Sequence, residues 1–96
     1  MVRLGGEADV TTPALGDVLR AEAAKKPRVL LVDVSALTFI DSAALHEIVR
    51  AHRRLQADGC LMALVSPSRA VDRILRLSAL DQVIPVYASA EEASAL

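Results

Sequence analysis

The sequence has almost no aromatic residues and a single cysteine. Phe39 and Tyr87 are the only aromatic side chains among 96 residues, so the core must be built from Val, Leu, Ile and Ala, and there is no set of rings on which single-stranded nucleic acid would stack. Because Cys60 stands alone, no internal disulfide can form, which is typical of a reduced, intracellular compartment. We therefore expect a cytoplasmic protein with an aliphatic core.

Long apolar runs and a strong charge imbalance are also missing. No run approaches the ~20 residues that span a bilayer, and the first ten residues lack the apolar core of a signal peptide, so we expect no membrane insertion. The formal net charge of −1 argues against a phosphate-binding surface spread over the whole molecule. With 53% apolar residues, the chain has the profile of one compact domain covering residues 1–96.

Apolar segments alternate with segments of helical periodicity along the chain. We predict strands at residues 2–4, 28–34, 60–65 and 83–87, and helices that begin at about residues 12, 42, 66 and 89. Pro27 and Gly59 should end the first two helices, and Pro85 places the last strand at a sheet edge. This order predicts an α/β fold, a mostly parallel four-stranded sheet with alternating helices packed against it.

The periodicity also predicts which side chains are buried. The second strand is nearly continuous in apolar residues, so we expect it to be covered on both faces. Each of the three long helices should bury one stripe. The predicted stripes are Leu15, Val18, Leu19 and Ala23; then Leu45, Ile48, Val49, His52 and Leu55; and then Val71, Ile74, Leu75 and Ser78.

Patterns for catalysis and for metal binding are weak. His46 lies one turn after Ser42 but is expected to face solvent, and Cys60 with two histidines makes no clustered ligand set. No GxGxxG or phosphate loop occurs. We expect no enzymatic activity, no metal and no cofactor. The exposed arginines 53 and 54 fall on a solvated face, so we expect no nucleic-acid binding either.

Asp33 ends an apolar strand, as the phosphoacceptor aspartate of receiver domains does. The acidic pair and the late lysine that such a site needs for magnesium and phosphate are missing here. We therefore expect Asp33 to hydrogen-bond the loop that follows it.

Asp41 and Ser42 precede a helical segment directly, and two interpretations of them stay open. As a helix cap, the pair would stabilise the helix by about 1 kcal/mol. If Asp41 is the cap, Ser42 becomes the first helical residue, and its hydroxyl lies at the positive end of the helix dipole, where an added phosphate is tolerated. Such a modification would change a surface without unfolding the domain.

Several motifs together resemble the STAS domain family, in the form of the bacterial anti-sigma-factor antagonists. GEAD at residues 6–9 and FIDS at residues 39–42 are the most specific, and VLLVDVSAL at 29–37 and SPSRAVDRILRLSALDQVIPVY at 66–87 extend the match. The resemblance implies that the unphosphorylated chain binds an anti-sigma factor, itself a serine kinase of the histidine-kinase-like ATPase fold, and so frees a sigma factor. The kinase would phosphorylate Ser42 and end binding, and a PP2C-type phosphatase would restore it.

The resemblance also implies which residues contact the partner. Asp9 matches the family's interface acid, expected to meet a basic residue of the kinase. The predicted partner-binding residues are Gly6, Glu7, Asp9, Thr11, Asp41, Ser42, Ala43, Ala44 and Leu45.

The chain departs from the family pattern in two places. Ala44 replaces a glycine and adds a methyl group where a partner is expected to approach. The family's N-terminal strand is shortened or missing, which would leave a sheet edge able to pair with a second copy in a homodimer.

Three other functions fit a fold of this kind. The chain could be the STAS subunit of a lipid-transport ABC system, which binds the transporter ATPase. It could be a scaffold or stressosome-like component whose assembly Ser42 tunes. In the third, it is a nonsignalling interaction domain in which Ser42 only caps a helix.

Overall fold

The computed structural model describes residues 2–3, 12–37 and 39–93. Within them, strands and helices alternate as the sequence predicts. They are β1 Val2–Arg3, α1 Thr12–Ala24, β2 Val29–Asp33, α2 Ser42–Ala57, β3 Leu61–Val65, α3 Arg69–Leu77, β4 Val86–Tyr87 and α4 Ala90–Ala93, with a 3-10 helix Leu80–Gln82 between α3 and β4.

The four described strands form one parallel sheet in the order β1-β2-β3-β4. Val32 of β2 lies opposite Val2 on one side and Leu64 on the other. The predicted fold class is therefore confirmed. Because right-handed crossovers advance the chain by one strand in the same direction each time, α1, α2 and α3 lie on one face of the sheet.

That face carries the main hydrophobic core. Alternate residues of β2 and β3 point toward the three helices, as the pleat of a strand requires. Each helix contributes residues spaced three or four apart. The largest fully buried side chains of this core are Leu19, Val32, Val34, Ile48, Leu55, Met62, Leu64, Val71, Leu75 and Ile84.

The opposite face of the sheet is covered only in part. Ala63 and Val65 are fully buried there, and α4 contacts β2, β3 and β4 while burying Ala93. Toward the amino ends of the strands the cover stops, since Leu61 is 53% exposed. The prediction that the second strand is covered on both faces is therefore wrong at this end, where Val29, which pairs with Leu61, is half-buried.

Two residues of the predicted helix stripes are exposed. Val18 is 41% exposed, because α1 packs against α2 through Leu15, Leu19 and Ala23, which follow one another at intervals of four. Ser78 is exposed because it forms the C-terminal cap of α3, where its hydroxyl donates to the Leu75 carbonyl oxygen at 3.0 Å.

The last strand is shorter than predicted. The chain enters the left-handed region at Ala79, with φ of 61°, and then forms the 3-10 helix. The backbone N–H groups of Val83 and Ile84 both donate to the Leu80 carbonyl oxygen, so these residues do not join the sheet. β4 begins only after Pro85, at the predicted sheet edge.

The helix ends follow the capping residues of the sequence. α2 ends at Gly59, whose φ is 73°, with the Gly59 N–H donating to Gln56 and the Cys60 N–H donating to Leu55, a Schellman motif. Before α4, the Ser89 hydroxyl accepts from the Glu92 N–H at 3.2 Å. The Glu92 carboxylate accepts from the Ala88 N–H.

No helix in the described part of the chain is long and apolar enough to cross a bilayer. The same residues contain no group of three His, Cys, Asp or Glu side chains arranged to hold a metal ion.

Replacing Ala79 with glycine should stabilise the protein. A residue with a Cβ atom costs about 1–2 kcal/mol in the left-handed region, and the greater backbone entropy of glycine in the unfolded chain returns about 0.5–1 kcal/mol of this. We expect Ala79→Gly to raise the free energy of unfolding in urea by about 0.5–1 kcal/mol. Ala21→Gly, at an exposed position inside α1, should lower it by about 1 kcal/mol. A lower free energy of unfolding for both Ala79→Gly and Ala21→Gly would show that the backbone at Ala79 is not left-handed in solution.

His52 is the one imidazole among the described residues that lies in the interior. It is 7% exposed, and its Nδ1 atom has no hydrogen-bond partner in the described part of the chain. Burial, and second the positive charge of Arg53, lower the pKa of His52 below its ordinary value of 6.5. The folded protein therefore holds this imidazole neutral at pH values where the unfolded chain binds a proton.

Stability should therefore fall as the solution is acidified through the titration range of histidine. Below about pH 6.5 the unfolded state binds more protons than the folded state, so the free energy of unfolding decreases until the pH reaches the lowered folded-state pKa, and then levels off. In urea titrations between about pH 5 and 7, His52→Gln should flatten this slope. The exposed His46→Gln variant should retain it, and equal slopes for wild type and His52→Gln would contradict the assignment.

Candidate functional site

The connection between β2 and α2 is held at the carboxyl edge of the sheet. One carboxylate oxygen of Asp33 accepts the Ser35 N–H at 2.8 Å, which confirms the predicted bond to the following loop. The Val34 N–H donates to the Val65 carbonyl oxygen at 3.1 Å. The Ser68 hydroxyl donates to the Leu37 carbonyl oxygen at 3.2 Å. These bonds fix where α2 begins.

Asp41 is the N-terminal cap of α2. Its backbone is extended, with φ −89° and ψ 175°, and its Oδ1 atom accepts the Ala44 N–H at 2.7 Å. The Leu45 N–H donates to the Asp41 carbonyl oxygen at 3.0 Å, which closes the first helical turn. Ser42 is consequently the first residue of the helix and is exposed. The cap interpretation is confirmed for Asp41, and it leaves the Ser42 hydroxyl free for another role.

The surface beside Ser42 contains a groove between α2 and the turn that follows α3. We call it the Ser42 groove; its volume is about 260 Å³. Leu45 and Val49 are half-buried in it, and Leu80 is buried. The groove is lined by Ser42, Leu45, His46, Val49, Arg53, Ser78 and Leu80.

An exposed aromatic ring precedes the helix. Phe39 is 68% exposed, three residues before Ser42 in the same connection. A large apolar side chain left in water is a common feature of binding surfaces. The Ser42 groove and, in the connection before it, the exposed Phe39 are therefore two features suited to protein docking.

The predicted partner-binding residues of α2 differ in exposure. Asp41, Ser42 and Ala43 are exposed, and Leu45 lines the groove. Ala44 is only 8% exposed and belongs to the core. Its methyl group packs into the core of the free domain, and the expectation that it meets an approaching partner stays a prediction. Gly6, Glu7, Asp9 and Thr11 lie outside the described residues, so their contacts stay predictions.

Sequence reasoning missed the groove and the part that His46 plays in it. The sequence placed His46 toward solvent, and it is exposed, but it lines the same groove as Ser42 because residues four apart share a helix face. No hydrogen bond joins the described side chains of Ser42 and His46, as a serine nucleophile and its base would require. The contribution of Ser78 and Leu80 depends on how α3 packs beside α2, which helical periodicity does not report.

Substitutions at Asp41 and Ser42 should show that the cap residue contributes to stability and that the exposed hydroxyl does not. We expect Asp41→Ala to lower the free energy of unfolding by about 1 kcal/mol, because the Ala44 N–H loses its acceptor. Asp41→Asn should retain most of the cap. Ser42→Ala should change stability by less than about 0.5 kcal/mol. Urea denaturation of the four proteins measures this, and an equal loss for Asp41→Ala and Ser42→Ala would assign the cap to both residues.

Comparison with known proteins shows which family the chain resembles. A family model described as the STAS domain matches residues 1–93. A Thermotoga maritima protein, named provisionally as an anti-sigma factor antagonist, is 37% identical over 60 residues, covering 62% of this chain and 53% of that protein. Rv2638 of Mycobacterium tuberculosis, named provisionally as an anti-anti-sigma factor, is 31% identical over 96 residues, covering 97% of this chain and 65% of that protein. The chain thus spans between half and two thirds of these curated relatives.

Similarity extends to a protein of another kind and to a solved structure. Mouse solute carrier family 26 member 10 is 35% identical over 75 residues, which are 75% of this chain but 11% of that protein. The NMR structure of the protein TM1081 has a TM-score of 0.79 at 26% identity and covers 96% of this chain and 77% of that one. Because the family match runs over nearly the whole sequence and the fold agrees with it, this chain belongs to the STAS domain family.

Proposed function

We propose that the chain is an anti-sigma-factor antagonist whose Ser42 is a phosphorylation switch. In its unphosphorylated form it binds an anti-sigma factor that is a serine kinase of the histidine-kinase-like ATPase fold, and the bound sigma factor is released. Phosphorylation of Ser42 by that kinase ends binding, and a PP2C-type phosphatase reverses it. The names of the two bacterial relatives support the general role.

The observation that carries the proposal is the position of Ser42. It is exposed, it is the first residue of a helix capped by its neighbour Asp41, and it lies at the border of an apolar groove. A kinase can reach such a hydroxyl without unfolding the domain. The four N–H groups at the start of a helix favour a nearby anion, so the folded protein tolerates the phosphate.

Phosphate at this place would act on docking through charge. A phosphoserine carries about −1.5 to −2 charges at neutral pH, and here it would join the carboxylate of Asp41, which is also exposed. A partner that buries this surface would have to desolvate both groups. The same modification leaves the Asp41 cap intact, so binding changes while the fold is kept.

Further contacts of the proposed interface come from the family resemblance. Asp9 would meet a basic residue of the kinase, with Gly6, Glu7 and Thr11 around it. Phe39, exposed three residues before Ser42 in the same connection, is an apolar contact that we add to this interface.

The switch is tested with baits that differ at Ser42. Wild type, Ser42→Ala, Ser42→Asp and Gln56→Glu are immobilised, and proteins from the native host are captured and identified by mass spectrometry. Gln56 is exposed in the last turn of α2, so Gln56→Glu adds one negative charge on the same helix far from Ser42. We expect wild type, Ser42→Ala and Gln56→Glu to capture a small ATPase of the histidine-kinase-like fold and Ser42→Asp to lose it.

Binding measurements with the purified kinase then show how much each substitution changes the dissociation constant. We expect Ser42→Asp to raise the dissociation constant at least tenfold, or about 1.4 kcal/mol, and Ser42→Ala to leave it within about twofold. Incubation with ATP should phosphorylate wild type but not Ser42→Ala. Equal affinity of Ser42→Ala and Ser42→Asp for the kinase would refute the switch, and capture of a transporter ATPase by all baits would favour the transport-system alternative.

A further inference from the structure

The Ser42 groove combines apolar walls with positive charge. Leu45, Val49 and Leu80 supply the apolar surface, and His46 and Arg53 are its basic residues. None of the seven lining residues is acidic. An apolar surface with basic groups at its border is suited to a protein segment that carries both apolar side chains and carboxylates.

The other side of α2 has a different charge balance. There, a second groove between α1 and α2 is lined by Arg20, Arg50 and Arg54, but it also contains Glu47. The Glu47 carboxylate lies 3.6 Å from Arg50 and 4.0 Å from Arg20, so these two arginines are paired within the chain. Arg53 and Arg54 have no ion pair with any residue in the described part of the protein. Arg54 shares its groove with Glu47, whereas Arg53 is an unpaired positive charge in a groove without an acidic lining residue.

The groove is long enough for a short segment of a partner. Ser42 and Arg53 are eleven residues apart on one helix, or about 16 Å at 1.5 Å per residue. His46 lies one turn from Ser42, so one end of the groove holds the switch residue and a base, and the other holds Arg53. This length fits about three turns of helix or five residues of extended chain.

We propose that the Ser42 groove receives an acidic, partly apolar segment of the anti-sigma kinase, with a carboxylate of that segment on Arg53. The proposal rests on the proposed function and names the part of the partner that the switch controls. A phosphate on Ser42 would repel such a segment at the groove entrance. It would also lie within one helical turn of His46 and take that side chain as its own partner. Both effects weaken docking of the same segment.

A zero-length cross-link tests the contact directly. The only lysines of the chain are Lys25 and Lys26, which follow α1 and lie apart from the groove in the sequence. Arg53→Lys and the control Arg54→Lys each place a single amine on α2, in the Ser42 groove or in the groove beside α1. The probe is the purified kinase captured by the wild-type bait, treated with a carbodiimide that joins amines to carboxylates. We expect Arg53→Lys alone to yield a new peptide joined to an Asp or Glu of the kinase.

The affinity for the same kinase tests the groove assignment separately from the Ser42 switch. Arg53→Glu should raise the dissociation constant at least about tenfold, because it places a carboxylate opposite the acidic segment. Arg54→Glu has the same change of charge and should stay within about threefold. Circular dichroism confirms that both exposed substitutions leave the fold intact.

The results distinguish a failure of the groove assignment from a failure of the proposed function. If wild type binds the kinase and Ser42→Asp does not, but Arg53→Glu binds as well as wild type or only Arg54→Lys is cross-linked, the groove assignment is wrong while the switch stands. If no kinase binds the wild-type chain, the proposed function fails and the groove assignment fails with it.

Discussion

The hydrogen bond from the Ala44 N–H to the Asp41 carboxylate sets the register on which the functional surface depends. A helix leaves its first N–H groups without partners, and the acceptor at the cap decides which residue begins the helix. With Asp41 as the cap, residues 44, 48, 51 and 55 face the sheet and are buried. Residues 42, 45, 46, 49 and 53 then line the groove. A start one residue later would make Ser42 the cap, and its hydroxyl would then be occupied by a backbone N–H of the first turn.

The two adjacent polar residues have different surroundings at the helix start. Asp41 satisfies the helix start, so Ser42 is not needed as a cap and its hydroxyl stays exposed. At the other end, the Schellman bonds around Gly59 hold the last turn. A charge added at Ser42 would therefore lie on a helix whose two ends are both held by capping hydrogen bonds. This arrangement suits a switch that changes partner affinity while the domain stays folded.

Local rules in the sequence predicted much of this fold, and tertiary contacts account for the differences. Caps, glycines and periodicity located the helices because these depend on neighbouring residues. The left-handed turn at Ala79 was not predictable, since alanine rarely adopts that conformation, and it shortened the last strand. Likewise, the Ser42 groove needs Leu80 from a distant part of the chain. The proposal of a regulatory role for Ser42 came from the family resemblance, because local chemistry showed only an exposed serine at a helix start.

Ala44 shows how a departure from a family motif is judged by its surroundings. The motif glycine would leave a gap in the core at this position, since the Ala44 methyl group is buried with Ile48 and Leu55 in one cluster. Alanine also favours the helical conformation over glycine by up to about 1 kcal/mol. Both effects stabilise the first turn of α2, and neither changes the exposed surface. The alanine therefore strengthens the support beneath the exposed residues Asp41, Ser42 and Ala43.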